Sequence, residues 1–371
     1  MIALYILLAL FVFGLLVMIH ELGHFLVARA FGVGIREFSI GMGPKIFSWK
    51  GKKQWEEEKN ALPPVRLDAN GELQDEPNED RVTTYSLRVL PIGGYVSMVG
   101  EDEESRSPAA FGNKPTWQRI LIVVAGAVMN ILLGFLLMLV LVLNTKQLAS
   151  NTIGAFHEGA TSPSYGLQIG DEVTHVNGTR VHTGNELVYE VMNQGYEPID
   201  LTVERNGERL ELNDIIFPGM EAEGIAFGSP DFRVFAEERN FPNLMKHTFF
   251  RSVSTVKMIY DQLFDLITGR FGVNAVSGPI GVTEAMTDAA KSGFDSFLYL
   301  VIVITINLGV FNLLPIPALD GGRLLFLLIE LITRKPVNKN VEGYIHFAGL
   351  MILFAIMVLV ACKDIVGLFV K

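Results

Sequence analysis

Four stretches of the chain run without Asp, Glu, Lys or Arg: Ile2 to Ile19, Ile120 to Leu143, Ser296 to Leu319 and Gly343 to Cys362, of 18, 24, 24 and 20 residues. At 1.5 Å rise per residue each is long enough to cross a hydrocarbon layer about 30 Å thick, so the pattern predicts four transmembrane helices. The first run is expected to be retained rather than cleaved as a signal peptide, although Ala28-Arg29-Ala30 looks like a cleavage site: no basic residue precedes the run and it is long for a signal core.

Between the runs the pattern changes. From Phe38 to Gly100 apolar and polar residues alternate with glycine punctuation, in Ile40-Gly-Met-Gly-Pro-Lys-Ile-Phe47 and Tyr85-Ser-Leu-Arg-Val-Leu-Pro-Ile-Gly-Gly-Tyr-Val-Ser-Met98, which predicts strands. The acidic, aperiodic stretch Lys52 to Asp80, with Pro63-Pro64, is predicted as a solvent-exposed insertion, and Glu101 to Glu104 as a solvated connector. Residues 151 to about 236 have ordinary globular composition. There Gly166-Leu-Gln-Ile-Gly170-Asp171-Glu-Val173-Thr-His-Val176-Asn177-Gly178 predicts a turn, a strand and an Asn-Gly hairpin, followed by a helix from Asn185 to Gln194 and a second hairpin at Asn206-Gly207. This run resembles the core of a PDZ domain, with Ser162-Pro-Ser-Tyr165 looking shorter than the segment such domains usually carry there. Residues 241 to 290 place Phe249, Val253, Val256, Ile259, Tyr260 and Leu263 at helical spacing, an amphipathic pattern suited to a membrane interface or a bundle flank.

Half of the 371 residues are hydrophobic and 19% are charged, with a net charge of −10. No basic stripe interleaved with aromatics is present, which excludes a nucleic-acid partner. One cysteine, Cys362, excludes an intrachain disulfide or thiolate cluster, so any metal must rest on histidine and carboxylate. Basic residues fall after span one (Arg29, Arg36, Lys45, Lys50, Lys52, Lys53) and after span three (Arg323, Arg334, Lys335, Lys339), which predicts both segments on the cytoplasmic side and both termini outside.

The chemistry begins at the end of span one, in His20-Glu21-Leu22-Gly23-His24. Histidines at i and i+4 share a helical face and can reach one ion, with Glu21 beside them as a general base. Ionisable groups there are costly unless they bind something. A catalytic zinc needs a third protein ligand. Asp320 is the candidate, in Asn312-Leu-Leu-Pro315-Ile-Pro317-Ala-Leu-Asp320-Gly321-Gly322, where the proline break predicts irregular backbone under the carboxylate; helix capping is its alternative role. His157, His175, His182, His247 and His346 have no ligand spacing and are read as structural or exposed.

His20 to His24, Asn312 to Gly321 and the PDZ-like segment between them resemble the bacterial site-2 proteases, intramembrane zinc metalloproteases of regulated intramembrane proteolysis. The resemblance implies one zinc per chain on His20, His24 and Asp320 with Glu21 catalytic, and a substrate unwound locally so that its carbonyls are exposed. Tyr85 to Met98 is similar to the family's re-entrant β-loop, Gly126 to Asn130 to its Gly-x-x-x-Asn element, and Ser277 to Val282 to the segment before span three. Substrate contacts are then expected at Gly93, Gly94, Tyr95, Gly126, Asn130, Asn312, Pro315 and Pro317, although Gly93-Gly94 also reads as a tight turn, and Gly126 with Asn130 as helix packing. Implied substrates are single-pass proteins already cut outside, such as anti-sigma factors or signal-peptide remnants, in the bacterial cytoplasmic membrane, with the PDZ-like domain outside as a size filter or peptide binder and the active site near the cytoplasmic side.

The expected organisation is a first span in 1–30, a cytoplasmic-side β-rich re-entrant region over 31–117, a second span at 118–145 and the extracytoplasmic PDZ-like domain at 150–236. An amphipathic region at 237–294, a third span at 295–320, a cytoplasmic loop at 321–342 and a last span at 343–371 complete it. A binding protein with a vestigial site, and an ion transporter, are the competing classes; the intact Glu21 argues against the first, and the single broken span against the second.

Overall fold

A computed structural model of the chain describes residues 2–53, 65–67, 73–75, 82–101, 105, 107–222, 225–270 and 277–370. Most of the predicted insertion at 52–80, the acidic run beyond Glu101 and Lys371 lie outside the described residues. The chain divides into two compact units, residues 1–134 with 277–371, and residues 135–276.

Among the described residues four helices are long and apolar enough to cross a membrane. They lie within α1 (Ile2–Ala30), α2 (Thr116–Asn144), α6 (Phe294–Leu313) and α8 (Lys339–Val370), which take their numbers from chain order. Glycines bring these helices together. A Cβ at Gly23 would collide with the Ala125 carbonyl on α2 and lie 2.7 Å from Met129 Cγ, and one at Gly309 on α6 would lie 2.9 Å from Ala127 O. Where a hydrocarbon environment supplies no hydrophobic drive between helices, such close approach is what packs them.

Two long strands, β1 (Ile35–Lys53) and β4 (Val82–Met98), pack against α1. Each doubles back, β1 around Gly41 and Gly43 (φ +84° and +86°) and β4 near Gly93 (φ +78°), a left-handed backbone that glycine adopts without penalty. Ile40 pairs with Gly94 on one side and Leu87 on the other, while Trp49 pairs with Tyr85. The result is four adjacent segments in the order 94–98, 35–40, 84–87 and 47–53. Met42, Ile46, Phe47, Trp49, Leu87, Val89 and Leu90 are exposed on it. The strands reach further than the alternation suggested, through Lys53, and two short strands, β2 (Val65–Leu67) and β3 (Leu73–Asp75), pair within the insertion.

The remaining helices of this unit also depart from the linear reading. Residues 321–342, expected as a loop, hold α7 (Asp320–Thr333), and α8 begins at Lys339. Arg119 on α2 pairs with Glu330 of α7, and Arg323 of α7 with Glu101, tying these segments together on one side of the unit. The amphipathic region is two helices, α4 (Phe241–Thr268) and α5 (Pro279–Ser292), one in each unit.

The second unit contains a six-stranded sheet in the order β12-β5-β6-β8-β9, with β7 on β6. Its strands are β5 (Leu148–Phe156), β6 (Glu172–Val176), β7 (Thr179–Arg180), β8 (Ile199–Arg205), β9 (Glu208–Ile215) and β12 (Phe232–Glu237). A separate hairpin joins β10 (Gly219–Ala222) to β11 (Ile225–Gly228). Ile153, Val173, Leu201 and Val203 of the sheet close the core with Leu187 and Val191 of α3 (Gly184–Gln194). Asn177-Gly178 and Asn206-Gly207 turn with positive φ at both residues, the primed geometry that matches strand twist. Arg205 donates to both oxygens of the fully buried Asp171 and to the Gly166 carbonyl, which fixes the turn before β6. Thr183 caps α3, accepting from the Glu186 N–H, while the Glu186 carboxylate accepts from the His182 N–H.

Candidate metal centre

Within its last three turns, α1 points His20 and His24 at α2, and both rings are buried. Room for them comes from Gly126: a Cβ there would lie 2.7 Å from His20 Nε2 and closer still to His24 Nε2. His24 Nδ1 lies 2.8 Å from the Ile122 carbonyl, an acceptor only, so Nδ1 carries the proton and Nε2 of the neutral ring keeps its lone pair.

That lone pair faces His20 Nε2 at 3.2 Å and Asp320 Oδ2 at 3.1 Å, and His20 Nε2 lies 2.9 Å from the same oxygen. Electron pairs converging this closely repel unless a cation or proton lies among them. Zinc bonds of about 2.0–2.1 Å in a tetrahedron put donor atoms about 3.3 Å apart, close to the spacing seen. Two imidazoles and one carboxylate are also a donor set zinc favours, and three ligands leave the fourth position open. The residues present fit the ion.

Asp320 does not sit on irregular backbone. It is the first residue of α7, with Leu319 as the N-cap and no side-chain cap bond. The irregular stretch is 314–319, where the proline break ends α6 at Leu313, and a tight approach makes the new helix possible: a Cβ at Gly322 would lie 2.6 Å from Ile316 O. Ala318 takes φ +74°, strained for a residue with a side chain, and its N–H donates to His346 Nδ1 at 2.9 Å. His346, on α8, thus holds the turn that delivers Asp320. Its 28-residue separation from Ala318 and a bond to backbone alone leave no motif for sequence reading to find.

Glu21 follows His20 and meets the sheet. Its carboxylate accepts a hydrogen bond from the Val96 N–H, and Gly94, opposite Ile40 in the register, would bring a Cβ within 3.6 Å of Glu21 Cγ. Gly93 provides the left-handed bend beside Met42. The Tyr95 hydroxyl accepts from Arg88 Nη2 at 2.6 Å. Gly126 and Asn130 lie against the histidines, Asn130 Nδ2 at 3.3 Å from His20 Nδ1. Asn312 donates to the Leu308 carbonyl of its own helix, and Pro317 packs on Gly349 of α8.

Arg88 and Glu37 brace the sheet beside the site. The Glu37 carboxylate accepts from Ser86 and Arg88 and pairs with Lys45, and Arg88 Nε donates to Ser39 Oγ. Burial opposes the Glu37 charge, but hydrogen bonds from Ser86 and Arg88 outweigh it and hold the carboxyl at about 2, below its ordinary 4.5. Since folding lowers this pKa, the stabilisation is complete above about 4.5 and is lost as pH falls toward 2. Glu37→Gln is therefore expected to speed amide exchange in 82–98 at pH 7, with the gap to the parent closing toward pH 2 after correction for intrinsic rates. Equal protection at pH 7 would refute this.

Comparison with known proteins agrees with this geometry. A family model described as Peptidase family M50 matches residues 8–63 and 77–356. The gap it leaves, 64–76, is the part of the insertion that holds β2 and β3. A protein of Clostridium acetobutylicum is 32% identical, over 97% of both chains. The zinc metalloprotease RasP of Shouchella clausii is 29% identical over 96% of this chain and 98% of its own. The regulator of sigma-W protease RasP of Bacillus subtilis is 28% identical, covering 96% and 97% respectively. With the family matched over most of its length and four apolar helices in its fold, this chain belongs to peptidase family M50, the site-2 proteases, and is a multi-pass membrane zinc metalloendopeptidase.

Proposed function

We propose that this protein hydrolyses peptide bonds within transmembrane segments of single-pass proteins, with His20, His24 and Asp320 holding the zinc and Glu21 as the general base. The observation that carries it is the convergence of three donor atoms, spaced 2.9 to 3.2 Å apart, with Glu21 beside them under a sheet. Bound there, zinc supplies the Lewis acidity that makes water nucleophilic near neutral pH. Glu21 takes a proton from the attacking water and passes it to the leaving amine. A helical substrate hides its carbonyls in i to i−4 bonds, so it has to be extended first. The 94–98 segment is at the outer side of the sheet, next to Glu21, and would hold an extended strand by adding it to that edge, with Gly93, Gly94 and Tyr95 at the junction. Asn312, Pro315 and Pro317 would act from the opposite side, near the turn to Asp320.

The sheet with α3 at residues 150–236 acts as an extracytoplasmic PDZ-like domain, a reading supported by the Asp171-anchored turn and the hairpin at Asn177-Gly178. It filters substrates by size, passing those already shortened by a first protease. α4 presents Phe249, Val253, Tyr260, Phe264 and Ile267 outward, which suits a place at the membrane surface. The exposed apolar residues of the β1–β4 sheet suit insertion into the membrane from the cytoplasmic side, where Arg119–Glu330 and Arg323–Glu101 also belong. Anti-sigma factors are the substrate class that fits the Bacillus subtilis relative, whose name is regulator of sigma-W protease, and signal-peptide remnants are the second class that the resemblance to site-2 proteases implies.

The test is cleavage of single-pass model substrates by the detergent-solubilised protein, with cut sites mapped by mass spectrometry. Cuts are expected inside the apolar segment, lost on zinc chelation and restored by about one equivalent of zinc. A zinc-loaded protein that cuts only soluble segments would overturn the reading.

A further inference from the structure

Asn130 is fully buried on α2, its backbone carbonyl accepts from Thr305 Oγ1 on α6, and its side-chain oxygen has no hydrogen-bond partner. Its Nδ2 lies 3.3 Å from His20 Nδ1. In that orientation His20 Nδ1 has to accept, which sends the ring proton to Nε2, the atom that faces His24 Nε2 at 3.2 Å and Asp320 Oδ2 at 2.9 Å. It also strands a buried acceptor. A half turn of the amide exchanges oxygen and nitrogen with almost no change of shape, and the hydrogen-bond network decides between the two.

We propose that the Asn130 amide oxygen accepts the His20 Nδ1 proton and so fixes the tautomer that presents the Nε2 lone pair to the metal, making Asn130 a positioning residue of the zinc site rather than a substrate contact. The inference rests on the reading that His20 and His24 hold zinc. It gives the two histidines the same support. Each donates Nδ1–H to an oxygen of α2, His24 to Ile122 O and His20 to Asn130 Oδ1. Residues 122, 126 and 130 follow at intervals of four and so share one helical face, acceptor, glycine, acceptor, with Gly126 clearing the space where the rings meet. An acceptor on the far nitrogen both orients a ligating imidazole and raises its basicity.

The test measures zinc affinity of the full-length detergent-solubilised protein by competition with a chromophoric chelator, for the parent, Asn130→Leu, Asn130→Asp and His20→Ala, alongside KM and kcat on one model substrate. Leucine keeps the volume and removes the acceptor, so zinc affinity is expected to fall about 10- to 100-fold, the usual effect of losing such a partner. Aspartate keeps the acceptor and is expected to hold zinc within about threefold of the parent or more tightly. Should leucine impair folding, as judged by elution and thermal unfolding, Asn130→Ala takes its place. Unchanged zinc affinity in the acceptor-free variant, with KM alone raised, overturns the proposal and returns Asn130 to substrate binding. Equal affinities for the parent and His20→Ala overturn the underlying metal site as well, which separates the two failures.

Discussion

Glu21→Gln is expected to lower kcat by about 10²- to 10⁴-fold, the range a positioned general base contributes, while leaving one zinc per chain. The three donors that meet are His20, His24 and Asp320, and Glu21 is outside the set. Glutamine keeps the oxygen that accepts from the Val96 N–H, so the sheet stays in contact with α1. What it loses is the ability to take a proton. KM should therefore hold within a few-fold while kcat collapses, the signature of a group needed in the transition state and not in binding. Zinc quantified by elemental analysis together with the cleavage rate decides the matter. Loss of zinc in the variant would move Glu21 into the ligand set, and an undiminished rate would remove it from catalysis.

Legibility from sequence followed how local each interaction is. The i, i+4 histidines, the uncharged runs and the Asn-Gly turns are encoded within a few residues, and each is visible before any folding. The third donor is legible only through its proline-flanked motif, which points to irregular backbone under the carboxylate, whereas the same Pro315 and Pro317 that end α6 also precede a helix that starts at Asp320 itself. α7 is hidden because the basic residues after span three, Arg323, Arg334, Lys335 and Lys339, read as a short loop, whereas in the fold Arg323 and Glu330 pair with Glu101 and Arg119, more than 200 residues away. The reach of β1 through Lys50 to Lys53 depends on pairing with Thr84 and Val82, across an insertion whose composition says nothing of strands. Ile122 and His346 contribute through a backbone carbonyl and a bond to a backbone N–H, for which residue type carries no signal.

Gly126→Ala tests the geometry of the centre most severely for the smallest change. Alanine is the better helix former by about 1 kcal/mol in a helix interior, so α2 itself gains from the substitution. The added methyl nevertheless has to lie 2.7 Å from His20 Nε2 and 2.8 Å from His24 Cε1, distances that real Cβ atoms do not keep. Neither ring can retreat freely: His24 is held by Ile122 O, His20 lies against Asn130, and both are buried. The rings and α1 must shift together, and a displacement near 1 Å at a reacting centre costs on the order of 10²-fold. The expected result is zinc occupancy well below one per chain and at least a 10²-fold loss of cleavage, with secondary structure by circular dichroism unchanged. Gly343→Ala on α8, where a Cβ meets nothing within 4 Å, is the matched control and should cleave like the parent. A Gly126→Ala protein that binds and cuts normally would show that the imidazoles do not converge where α2 comes closest, and the donor triangle would have to be redrawn.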